Sequence, residues 1–248
     1  KWSKKGAATG FDKAAWGQTF AQTLRMDDLL KQHIAVMDKN DPSKRIGLFV
    51  DEWGTWYDVE PGTNPGHLYQ LNTLRDGVLA AANFNIFHRY TDRVKMTNIA
   101  QTINVLQAMI LTQGDKIVLT PTYYAYKMYV PFQDSTAIPL DVAAPEIDVG
   151  GTKIPAFNAS AAKGKDGKTY VAVANMSPDD GVKLSVALAG LKAKSVAGEV
   201  LTADKMDAMN AFGVKPTVAP APFKGAKLSG DKLTLDIPAK SVVVVALD

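Results

Sequence analysis

The chain has 248 residues, 46 % hydrophobic and 21 % charged, which excludes a disordered or fibrous chain and leaves material for one large core or two moderate ones. Twenty-eight basic residues against 25 acidic ones give a net charge of +3, and the lysines are scattered, so a nucleic-acid partner is not expected. There are no cysteines, which excludes disulfides and thiolate metal sites, and no apolar run approaches the roughly 18 residues of a membrane span.

The opening KWSKKGAATGFD has neither an initiator Met nor a signal-like apolar core. The reading is of a processed or truncated start, with the compartment open between cytoplasmic and exported. A helix is predicted from about Asp12 to Asp38, because Trp16, Phe20, Leu24, Leu30, Ile34 and Met37 recur at three-to-four spacing and Thr9-x-x-Asp12 has the form of a cap. DPSK at 41–44 is a turn. Ile46–Val50 follows as an unbroken apolar strand of the kind buried on both faces of a parallel sheet. EPGTNPG at 60–66 is loop. A second helix is predicted over Leu68–His88, with Leu71, Leu74, Val78, Ala82 and Ile86 on one face, then a strand over 93–101 and a short helix over 102–111. This alternation is that of a parallel α/β sheet or barrel.

From about Lys116 the pattern changes. TYYAYKMYV at 122–130 predicts a short helix, and short alternating segments follow at 137–142, 153–160, 168–176, 182–189, 194–202, 223–228, 232–237 and 241–247. A Lys-Asp-Gly hairpin turn feeds the strand Thr169–Asn175. About eight such strands make an antiparallel sandwich or jelly roll. The expected domains are thus 1–115, α/β, and 116–248, a β-sandwich carrying the short helix near 122–130. A closed eight-stranded α/β barrel takes about 250 residues, so the first part holds about two of its strands.

The strand Ile46–Val50 runs into Asp51 and Glu52, with Trp53, Trp56 and Tyr57 beside them. In α/β barrels catalytic groups sit at the C-terminal ends of strands. Neighbouring strand residues point to opposite faces, so one carboxylate is expected toward the barrel axis and the other hydrogen-bonded behind it. Aromatic rings beside an acid form a platform for a sugar, and glycosidases cleave with a carboxylate pair. The same residues also fit a solvated acidic strand end under covering tryptophans. His33 and His67 read as surface residues and His88 as a helix-end partner. No metal-ligand spacing or phosphate-loop motif occurs, and neither a metal nor any other cofactor is expected.

LFVDEWGTWYD, then DRVKMTNIAQTINVLQAMI and PTYYAYKMYVPFQ, together resemble the α-L-arabinofuranosidases of glycoside hydrolase family 51. The resemblance runs from about Phe11, through LRMDDLLKQHIAVMD, to the closing IPAKSVVVVAL, and is strongest over 46–132. It implies a (β/α)₈ barrel followed by a jelly roll, with 46–50 and 93–99 as the seventh and eighth barrel strands. It also implies a retaining enzyme that removes terminal α-L-arabinofuranosyl residues from arabinose-containing glycans. By the same resemblance Glu52 is the nucleophile, Trp56 and Gln101 bind the sugar, and Asp51, Trp53 and Asn98 support them. Family members often carry Asn where this chain has Gly54, a change expected to loosen the loop or alter a subsite.

The family's acid/base is a Glu preceded by Asn, and this sequence contains no Asn-Glu pair. Glu60, Glu146 and Glu199 lie in a Pro-rich loop, an interdomain segment and a sandwich strand. The chain is therefore expected to be the C-terminal portion of a longer enzyme, with the missing barrel segment on the same polypeptide or a companion chain. Alone it is expected to be inactive. Family members are commonly oligomers, so a homo-oligomer is a further expectation. Endoglucanase or xylosidase specificity, or a non-catalytic carbohydrate-binding role for the sandwich, are the competing readings.

Overall fold

The computed structural model describes residues 5–248; residues 1–4 of the expected segment 1–115 lie outside the described residues. Helix α1 spans Lys13–Asn40, and its cap is Asp12, whose side chain accepts from the Ala15 N–H at 2.8 Å, in place of the expected Thr9. Its buried residues include Trp16, Phe20 and Leu30. The Trp16 indole N–H donates to the Met176 carbonyl at 2.8 Å and ties α1 to the distant sandwich.

After the turn comes strand β1, Leu48–Trp53, which pairs in parallel with β2, Val94–Ile99. The buried Arg93 guanidinium locks this corner: it donates to Asp38, to the Asp41 carboxylate at 2.8 Å and to the Ile46 carbonyl at 3.0 Å. The expected strand 46–50 starts later and continues through both acidic residues. It is also not buried on both faces, since Phe49 is 52 % and Met96 45 % exposed. The helices cover only the other face.

Helix α2, Leu74–Phe87, links the two strands and is buried along its whole length. It begins six residues later than its apolar spacing predicts. Thr73 is its cap, with the Thr73 N–H donating to Asp76 Oδ2 at 2.7 Å, and Leu68 is left-handed at φ 53°. The short helix expected over 102–111 does not form. Asn104 and Leu106 take φ values of 59° and 52°, which no helix tolerates. The chain instead turns into a hairpin, β3 (Ile110–Gln113) with β4 (Lys116–Leu119). Helix α3, Pro121–Tyr129, follows, with Thr120 as cap and Pro121 at its first position.

The remaining strands are β5 (Thr136–Ile138), β6 (Glu146–Val149), β7 (Thr152–Pro155), β8 (Phe157–Lys163), β9 (Thr169–Asn175), β10 (Val182–Ala187), β11 (Val196–Leu201), β12 (Ala221–Pro222), β13 (Ala226–Ser229), β14 (Lys232–Ile237) and β15 (Ser241–Leu247). The predicted segment 153–160 is thus two strands, and β6 had no counterpart in the sequence reading. A six-stranded sheet, β12-β11-β15-β9-β8-β5, faces a three-stranded one, β10-β14-β13. Val171, Val173, Leu233, Leu235, Val243 and Val245 pack between them. The other side of the large sheet, with Ala172, Ala174, Val242 and Val244, packs on α2 and α3 in one core with Trp16 and Val78. Two covered faces explain why β15 reads SVVVVAL with no alternation.

His88, at the end of α2, lies in the seam between helix and sheet. Its Nδ1 is 2.9 Å from the Ser160 hydroxyl, which donates its single hydrogen to Asn85 Oδ1 at 2.7 Å, so Nδ1 carries the proton. The ring stacks on Phe132 at 5.0 Å, and burial pushes its pKa down to about 4. It stands at the helix end, as the sequence suggested, as a half-buried neutral ring bonded to the sheet.

Two predictions follow from this packing. Because the unfolded chain protonates His88 near its ordinary pKa of about 6.5 and the folded chain only near 4, stability is complete above pH 6.5 and falls as pH drops toward 4. The loss amounts to about 3 kcal/mol. Urea unfolding across this range should show that slope, and His88→Gln should remove most of it. Trp16→Ala should cost about 3–5 kcal/mol, whereas Trp16→Phe, which forfeits mainly the bond to Met176, should cost about 1–2 kcal/mol.

Candidate active site

Between Val50 and Trp53 on β1 the partners on β2 are Thr97 and Ile99. Asp51 and Glu52 therefore stand together opposite the single residue Asn98. This two-against-one irregularity breaks the alternation of the strand, as bulges beside functional sites do. Both carboxylates are exposed in this chain, and neither takes a side-chain hydrogen bond among the described residues. No described residue supplies the hydrogen bond expected behind one of the acids. Asn98 is exposed beside them.

Trp53 points the other way. It is buried edge-on against Phe84 and Phe87, each 5.5 Å away, and stacked on Tyr126 at 6.2 Å. The ring anchors the end of β1 to α2 and α3. Trp56 returns to the surface, 37 % exposed, with the Lys5 ammonium 4.0 Å above its ring. Gln101 is exposed at the end of β2, next to the β1 loop, because the Ala100 N–H donates to the Trp53 carbonyl at 2.8 Å. Glu52, Trp56 and Gln101 are thus carried by neighbouring strand ends, with Asp51 and Asn98 on the same rim. A groove of about 810 Å³ lies on the α1 side of the loop, lined by Gln18, Gln22 and Arg25 of α1 and by Trp53, Trp56 and Tyr57; it includes neither carboxylate nor Gln101.

The loop 54–57 is held from behind by residues that the sequence reading did not single out. The Thr55 N–H donates to Gln107 Oε1 at 2.9 Å, and the Thr55 hydroxyl donates to Asp76 Oδ1 at 2.9 Å. The Tyr57 N–H donates to Gln70 Oε1 at 2.8 Å. Arg75, buried, lies 3.5 Å over Phe11 and 4.1 Å over Tyr57, and donates to the Ala7 carbonyl at 3.1 Å. Burial pushes the Asp76 carboxyl up, against the opposing pull of Arg75 and of its hydrogen bonds. Burial likewise raises the Tyr57 phenol. One signal for this backing was legible, since Thr73-x-x-Asp76 has the form of a capping box.

His33 and His67 are exposed on α1 and in the loop before α2, away from the acids. Among the described residues no group of three His, Asp or Glu side chains is placed to hold a metal ion. Chemically, the rim presents two acceptors without protein partners among the described residues, an aromatic face and a carboxamide. That set suits a polyhydroxylated ring, whose C–H face lies on indole and whose hydroxyls meet carboxylate and amide.

The alpha-L-arabinofuranosidase C-terminal domain family matches residues 51–241. An intracellular exo-alpha-L-arabinofuranosidase of Bacteroides ovatus is 46 % identical over 248 residues, 99 % of this chain and 48 % of that protein. A crystal structure of a GH51 arabinofuranosidase from Xanthomonas axonopodis pv. citri superposes with a TM-score of 0.98 at 47 % identity, over 100 % of this chain and 50 % of that one. A family 51 alpha-L-arabinofuranosidase from Bifidobacterium longum, 20 % identical, shares the fold at a TM-score of 0.79 over 95 % of this chain and 49 % of that one. The chain spans about half the length of these relatives. On the family match and the relatedness over the whole chain, it belongs to the α-L-arabinofuranosidases of glycoside hydrolase family 51, corresponding to their C-terminal portion.

Proposed function

We propose that this chain supplies the nucleophile half of a retaining exo-α-L-arabinofuranosidase, which releases terminal α-L-arabinofuranosyl residues from arabinose-containing glycans. The observation that carries the reading is the position of Glu52 near the end of β1, in a strand whose end is hydrogen-bonded to the end of β2 that carries Gln101 and is followed by the loop that carries Trp56. The relatives described above from Bacteroides ovatus and Xanthomonas axonopodis are arabinofuranosidases, which supports the sugar.

In this mechanism Glu52 attacks the anomeric carbon and the glycosidic C–O bond breaks, giving a covalent arabinosyl-enzyme. A carboxylic acid about 5–5.5 Å away protonates the departing oxygen and then takes a proton from the water that cleaves the ester. Trp56 holds the apolar face of the furanose and Gln101 a hydroxyl, while Asp51 and Asn98 line the same rim and Trp53 fixes the strand end from behind. The acid comes from outside these 248 residues. Glu60 accepts from the Leu71 N–H at 3.2 Å in its own loop, Glu146 pairs with Lys153 at 3.1 Å, and Glu199 belongs to β11.

On the same reading β1 and β2 are the last two strands of a barrel, so that residues 1–115 complete it and 116–248 form the sandwich domain. Two observations support this. The strands are parallel and joined through a helix. Their uncovered face carries Phe49 and Met96, apolar groups that suit the packed interior of a closed barrel. The partner this requires is the upstream barrel segment.

In the longer polypeptide Glu52→Ala should lower kcat/KM by at least about 10⁴-fold. With an aryl arabinoside whose leaving group needs no acid, azide should restore turnover to this variant and give arabinosyl azide of inverted configuration. Retention of activity by Glu52→Ala rejects the assignment. Trp56→Ala should raise KM by about tenfold or more, read from initial rates on the same substrate. The 248-residue chain alone should show no turnover of an arabinoside that needs acid assistance.

A further inference from the structure

Glu52, Trp56 and Gln101 come from two separate strand ends, so something must fix the spacing between the ends. One residue bonds to both, through its side chain on one side and its backbone N–H on the other. Gln107 lies in the irregular segment between β2 and β3 and is fully buried. Its Oε1 accepts from the Thr55 N–H at 2.9 Å, one residue before Trp56. Its Nε2 donates to the Asp76 carbonyl at 2.9 Å and to the Thr122 hydroxyl at 3.1 Å. Its own N–H donates to the Ala100 carbonyl at 3.1 Å, one residue before Gln101. The carboxamide orientation is unambiguous, because a backbone N–H can only donate and a backbone carbonyl only accept. Both of its hydrogens and its oxygen are used.

Gly54 fits the same arrangement. Its φ is +140°, and a Cβ there would stand 3.2 Å from Gln107 Oε1 and 3.3 Å from the Ala100 carbonyl. The bare backbone at Gly54 is what lets the β1 loop lie against Gln107 and the end of β2.

We propose that Gln107 is a positioning residue for the arabinofuranosidase reaction, setting the distance between the Trp56 wall and the Gln101 carboxamide, and that Gly54 is the residue that admits it. The proposal rests on the assignment of Glu52, Trp56 and Gln101 made above. Gln107→Met keeps the length of the side chain and removes all three of its side-chain hydrogen bonds. An error of about 1 Å in the position of a substrate-holding group costs about 100-fold.

The test is made in the longer polypeptide with an aryl α-L-arabinofuranoside. Gln107→Met should lower kcat/KM by about 10- to 100-fold, mostly through KM, and the loss should shrink to about threefold or less when Gln101→Ala is already present. Its effect on the midpoint of thermal unfolding should be the same in both backgrounds. A purely structural role moves the midpoint alone or gives losses that multiply, and either result overturns the proposal. Should Gln107→Met fail to fold, Thr122→Val, which removes one acceptor of the carboxamide, must raise KM in the wild-type background and not in Gln101→Ala, and equal effects in both overturn it. Glu52→Ala separates the two levels. If that variant stays active the underlying reading fails, whereas an inactive Glu52→Ala beside an unaffected Gln107→Met rejects only the positioning role.

Discussion

A carboxylate held out of water organises the candidate site. Asp76 is fully buried, and burial raises its pKa because the charged form loses its hydration. Against that stand the charge of Arg75, the Thr73 N–H and the hydroxyls of Thr55 and Thr73, all of which favour the carboxylate. Asp76 also sits in the first turn of α2, where unpaired N–H groups and the helix dipole favour negative charge. One group thereby determines two things: where α2 begins, through Thr73, and where the loop after β1 runs, through Thr55.

That dependence extends outward because α2 has no free face. It packs on α1, α3 and the large sheet, and Phe84 and Phe87 on its far turns receive Trp53. The strand end with Glu52 is therefore referenced to the sandwich through α2. Trp16 makes the same link from α1, through its bond to Met176. The segment before α1 closes the remaining side of the loop: the Asp58 N–H donates to the Gly6 carbonyl at 2.9 Å, and Arg75 is clamped between Phe11 and Tyr57. Segments far apart in sequence thus converge on a stretch of about six residues, which is expected where a precise site must be built on a rigid scaffold.

Local chemistry decided what the sequence disclosed. The helix at 13–40, the hairpin turn before Thr169 and the strands of the sandwich were legible because spacing and turn residues act over a few positions. The apolar spacing of Leu71, Leu74 and Val78 points to an earlier start for α2, but in the structure the Thr73 cap decides where it begins. The segment 102–111 looked helical by composition, yet Asn104 turns left-handed: its Oδ1 accepts from the Thr112 N–H and its Nδ2 donates to the Thr112 hydroxyl, each at 2.7 Å, and Gln107 is drawn into the core. The carboxylate pair was visible, but its standing opposite a single residue of β2 was not. It follows from a mismatch between Val50–Trp53 and Thr97–Ile99, and register between two strands is a property of neither strand alone.

The same reasoning changes the sense of Gly54. A glycine in a loop suggests looseness, one of the two effects expected of Gly54 beside a changed subsite. In the structure the absence of a side chain lets the backbone press against Gln107 and the Ala100 carbonyl, so the residue makes the loop closer-packed. Buried backbone N–H groups must find acceptors, and here Gln70 and Gln107 provide them for Tyr57 and Thr55 from the rear. With the loop's demands met on that side, its backbone is held without drawing on Asp51 or Glu52.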